Sequence, residues 1–191
     1  MTKINIKYNK FLDQIFKVYA QTLPQFKDWK EPTPEEIGKR VREFREAWKP
    51  IKEKVIRTIE NCLGKEFPYS IVDVAIVSAC PRPFSNPIVI GSHMDPDEFV
   101  CRLIHELIHK TNHPGVEIYK GRYPEENDTV LNHIHVHALL QHIYVDILDR
   151  PDLFELNKKL SQKNSTSDYT RAWEIVEKEG YENILSRTPT K

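Results

Sequence analysis

His105, Glu106 and His109 stand in the run HELIH, an H-E-x-x-H pattern. On a helix, residues four apart share a face, so both imidazoles can reach one metal ion. Glu106 follows His105 by one position and lies to the side of that pair. Its carboxylate can touch a water at the metal without taking a ligand position. The chemistry needs this division of roles, because zinc acidifies water and polarises a carbonyl while a carboxylate removes the proton. The chain holds eight histidines, all between His93 and His142, and the other 141 residues have none.

Local elements must position these groups. Asp95 is an N-cap, Pro96 sits at the first helical position and Glu98 completes the capping pattern. Phe99, Val100, Leu103, Ile104, Leu107 and Ile108 form an apolar stripe, and Pro114-Gly115 ends the helix. Two strands are predicted before it, Tyr69 to Val77 and Ile88 to Ile90, joined by a proline-rich turn. A second helix is predicted from about Thr129 to Leu148. No Asp, Glu, Lys or Arg occurs between Thr129 and Val145, so that helix is expected to be buried on most sides. It carries His133, His135, His137 and His142. Helices are also predicted over 8–22, from a Thr33 cap through Ile59 with a kink or division at Pro50 and a stop at Gly64, and over 169–179. Residues 152–167 read as a polar loop.

HELIH on a helix preceded by a short β unit resembles the zincin metallopeptidases. That resemblance implies His105 and His109 as zinc ligands, Glu106 as general base, and an edge strand that aligns a peptide substrate, for which Ile88 to Ile90 is the candidate. The metzincin continuation, HExxHxxGxxH, is not met by HELIHKTNHPG. His105, His109 and His113 would span roughly 12 Å along a straight helix, so His113 could join the other two at one ion only if the helix ends before it. Gluzincins take a third ligand from a glutamate on a following helix. Residues 129–148 match that helix in place and length but contain histidines instead. The reading is therefore gluzincin-like in layout, with His133 as third ligand and one position left for water. His137, one turn later, would orient a ligand or hydrogen-bond the oxyanion. The two roles are exchangeable, and His142 with Asp146 is the third choice. Tyr119, Tyr123, His137 and Tyr144 are the candidate electrophiles.

Composition bounds the rest. Twenty-eight basic residues balance 28 acidic ones, with 39% hydrophobic residues. This disfavours a broadly basic nucleic-acid binder. No apolar run spans a bilayer, and the start MTKINIKYNKF has no secretory pattern. Three scattered cysteines (Cys62, Cys80 and Cys101) suit a reducing, cytoplasmic setting. The fold class expected is α+β: a zincin-like domain with a short β-sheet, the HExxH helix, a ligand helix and flanking helices. It is expected to be a single domain over 1–191, with an N-terminal helical region over 1–64, a metal-site core over 65–150 and a helical extension over 151–191. The expected function is hydrolysis of a peptide bond using Zn2+, with a peptide or protein substrate and neither nucleic acid nor membrane as partner. The alternatives are a non-peptidase metal-dependent hydrolase and an inactive zincin-like binding or regulatory protein.

Overall fold

The computed structural model describes residues 2–111, 113, 115–164 and 167–187. In chain order the elements are β1 (Lys3–Tyr8), α1 (Lys10–Gln21), a 3-10 turn (Pro24–Phe26), α2 (Pro34–Trp48), α3 (Lys52–Leu63), β2 (Ile71–Val77), β3 (Phe84–Ser85), β4 (Ile88–Gly91), α4 (Pro96–His109), α5 (Gly115–Tyr119) and α6 (Asp128–His142). A π-helical turn (Ile143–Ile147), α7 (Pro151–Asn164), α8 (Ser167–Glu179) and α9 (Tyr181–Leu185) complete the described chain. The architecture is α+β, with an HExxH helix, a following ligand helix and flanking helices. The chain divides into two units, Met1–Ile51 with Tyr69–Glu106, and Lys52–Pro68 with Leu107–Lys191.

The first unit is built on a four-stranded sheet in the order β1-β2-β4-β3. β1, β2 and β4 run parallel, and β3 pairs antiparallel to β4. β2 is buried continuously from Val74 to Val77, as a parallel strand covered on both faces should be. Ala75, Val77, Cys80 and Val89 form a core against which Leu12, Phe16 and Phe84 pack. The Phe16 and Phe84 rings meet edge to face at 5.4 Å. On α2, Phe44 stacks on Phe99 at 4.1 Å, and the Arg45 guanidinium donates twice to the Ile6 carbonyl oxygen. Thr33 and Glu36 form the full capping box expected for α2. Asp73 faces solvent, bonded to Asn5 and Lys7 of the neighbouring strand.

The second unit is organised around α6. Val130, Leu131, Ile134 and Ala138 of that helix join Tyr119, Ala172, Trp173, Ile175, Val176 and Ile184 in one buried cluster. Gly64 ends α3 at φ +60°, a left-handed turn that suits a residue without Cβ.

Three expectations change. Ile88–Gly91 is not an edge strand, because it lies between β2 and β3, and the short β3 takes the edge. Residues 3–8 form β1, whose alternation puts Ile6 inside at 3% exposure. Residues 152–164 are helical rather than a loop. The inward face of α7 is Leu153, Asn157 and Ser161, all buried. Two polar residues on a buried face hide the helical period from a hydropathy reading.

Candidate metal centre

α4 carries HELIH in its last turns. Its start follows the sequence signals, with the Asp95 carboxylate accepting from the Glu98 amide at 2.8 Å. Phe99, Val100, Leu103, Ile104, Leu107 and Ile108 are buried, which sets the rotation of the helix. His105 and His109 are left half-buried on its flank, while Glu106 is only 7% exposed. The division between the two units falls within α4. His105, Glu106 and His109 all lie on the continuous helix α4.

α6 begins at Asn127, whose side chain accepts from the Val130 amide at 3.0 Å. His133 lies one turn into it and is buried. Its ring meets that of His109 at 5.0 Å between centroids, inclined at 66°. One ring nitrogen from each of His105, His109 and His133 lies within 4.8 Å of the other two. This is a zincin-like HExxH site.

The donor set fits a metal ion. Burial, then the neighbouring His133, pushes the His109 imidazole down to about 3. Burial likewise lowers His133. Both rings are therefore neutral near pH 7, the form that ligates metal. These three imidazoles would hold such an ion and would leave a four-coordinate zinc one position for water. Burial pushes the Glu106 carboxyl up to about 7, against the opposing effects of a hydrogen bond from Ser85 and the charge of Arg102. The Ser85 hydroxyl donates to Oε2 of Glu106.

The other histidines have different surroundings. His137 is fully buried and stacks on Trp173 at 4.2 Å and 11°, with its ring 5.6 Å from that of His133. His142 Nδ1 is 2.7 Å from Oδ2 of Asp146, an oxygen that also accepts from the Tyr181 hydroxyl at 2.8 Å. His135 is buried and stacks on His113 at 5.2 Å. His93 packs edge-on to Phe26 in the first unit.

Of the candidate tyrosines, Tyr119 donates to the Ile184 carbonyl oxygen at 3.1 Å and Tyr123 donates to Glu179. Tyr144 is fully buried. Sequence reasoning misses Tyr169, whose ring is 4.1 Å from that of His133 and 6.0 Å from that of His137. It sits in the first turns of α8, beyond any motif, and no spacing signal links it to HELIH. Ser85 escapes notice for the same reason.

Comparisons with protein families, curated proteins and solved structures find no match for this chain. Among the described residues, no helix is long and apolar enough to cross a membrane.

Proposed function

We propose that the protein is a zinc-dependent peptidase whose ligands are His105, His109 and His133 and whose general base is Glu106. The carrying observation is the convergence of these three ring nitrogens beside a nearly buried carboxylate on the same helix as two of them. Three borderline nitrogen donors with an open position suit zinc. When bound, zinc acidifies water and polarises the carbonyl it faces.

The chain's own groups supply the rest. Glu106 accepts the proton of the attacking water and returns it to the departing amine. The Tyr169 phenol, beside His133, donates to the developing oxyanion. His137, packed between the His133 ring and Trp173, orients the His133 ring. β3 is the edge strand of the sheet and carries Ser85, which bonds Glu106, and an extended peptide can add to a sheet edge through main-chain hydrogen bonds. The free cysteines suit a cytoplasmic enzyme.

The test uses purified full-length chain, zinc analysis and a fluorescence-quenched peptide library. The wild type should bind one zinc and cleave library members, while Glu106→Gln should keep the zinc and lose cleavage. Cleavage that survives in Glu106→Gln would show that the base is misassigned. The third imidazole in place of a glutamate keeps the ligand set uncharged. This favours a second reading, a metal-dependent hydrolase of non-peptide substrates, which cleavage of activated esters but no peptide would support. Zinc binding without either activity points to a zincin-like binding or regulatory protein.

A further inference from the structure

Glu106 reaches its site through three side-chain torsions, and a general base must present one oxygen to one water. Helix α4 fixes the Cα position of Glu106 and leaves the carboxylate's own orientation to its neighbours. Among them is Ser85, whose hydroxyl donates to Oε2. Ser85 is itself held by strand pairing. It pairs with Ile88, and Phe84 pairs with Val89, in the β3–β4 ladder. Ile88 is fully buried and Val89 nearly so. Phe84 is pinned by the Phe16 ring, with the Arg82 guanidinium 5.8 Å from its centroid. The donor is therefore the hydroxyl of a short side chain, carried on a strand whose partner is anchored in the core.

We infer that Ser85 is a positioning residue for Glu106, holding Oε2 so that Oε1 faces the attacking water. The inference rests on the hydrolase reading above and adds to it the segment of the chain that aims the base. A hydrogen bond to a charged acceptor is directional and stronger than a neutral one. Glu106 is shielded from bulk water, so solvent does not readily replace a lost donor. Edge strand β3 then has two duties, to offer its outer edge to a substrate and to fix the base.

The experiment compares wild type, Ser85→Ala and Ser85→Thr as zinc-loaded full-length chains. Crystal structures should show one Glu106 carboxylate orientation in wild type and Ser85→Thr. In Ser85→Ala the carboxylate should be displaced or spread over several orientations, with zinc still at one per chain. On the quenched peptide library, Ser85→Ala should lower kcat by roughly tenfold to a hundredfold with little change in KM, and Ser85→Thr should restore it. An unmoved Glu106 in Ser85→Ala, or a change confined to KM or to thermal stability, overturns the inference. If the wild type cleaves no peptide, the peptidase reading fails. The orientation of Glu106 across the three structures still decides whether Ser85 positions it.

Discussion

His133 Nδ1 lies 2.7 Å from the backbone carbonyl oxygen of Thr129, one turn earlier in α6. A carbonyl oxygen only accepts, so Nδ1 carries the ring proton and Nε2 keeps its lone pair. The helix backbone thus sets the tautomer that a metal ligand needs, the usual task of an outer hydrogen-bond partner.

Loss of that ligand should be felt directly. Outer partners of ligand histidines are worth about 10–100-fold in metal affinity, so His133→Ala should weaken zinc binding by at least that much. Competition with a chromophoric chelator measures it. Thermal unfolding gives an independent readout, since zinc at about 100 times its Kd adds about 2.7 kcal/mol to the folded state. Wild type should melt higher with zinc than after chelator treatment, and His133→Ala should show little difference between the two. Equal melting points for wild type under both conditions would contradict the site.

Asp13 should carry a share of the protein's acid sensitivity. It is fully buried. Burial alone would raise its pKa, but bonds from the Ser78 hydroxyl, Tyr8, the Ser78 amide and Lys17 outweigh that and lower it. The folded chain therefore binds the Asp13 proton less readily than the unfolded one. The resulting stability is present above the unfolded value, about 4, and is lost as pH falls through the lower folded value. Asp13→Asn should cost about 2 kcal/mol at neutral pH, the scale of buried hydrogen bonds to a charge. Its stability should also fall less steeply below about pH 4. Urea unfolding across pH checks both statements, and parallel curves for the two proteins would refute the second.

Gly91 closes β4 where there is no room for a side chain. A Cβ there would lie 2.4 Å from Cε1 and 2.5 Å from Nδ1 of His93, and 3.2 Å from the Cys80 amide nitrogen. Gly91→Ala should destabilise by about 1–3 kcal/mol, as overpacking does. His93→Ala should recover most of it, because the side-chain clash is the severe one. A double-mutant cycle showing simple additivity would place the strain elsewhere.

Trp173 joins the ligand helix to α8. It is 2% exposed, stacks on His137 and meets Phe154 edge to face at 5.5 Å. Trp173→Ala should cost about 3–5 kcal/mol. Hydrogen exchange should accelerate first in α6 and α8 if this contact secures them. Exchange rising uniformly across the sheet strands as well would argue against a local role.

HELIH, its cap and its apolar stripe are legible in the sequence because they depend on covalent neighbours: spacing along one helix determines which side chains share a face. The α2 capping box, the stop at Gly64 and strand β2 are readable for the same reason. The choice among the histidines of α6 is not. That helix is buried nearly all round, with His133, His135 and His137 each under 5% exposed. Its sequence therefore carries no polar and apolar sides from which to read its rotation. Only packing brings His133 to the ring of His109 and His137 to Trp173. Ser85 and Tyr169 reach their partners Glu106 and His133 from segments distant in sequence. The short β3 takes the sheet edge expected for β4. These relations depend on how elements rotate and pair across space, and no local period records that.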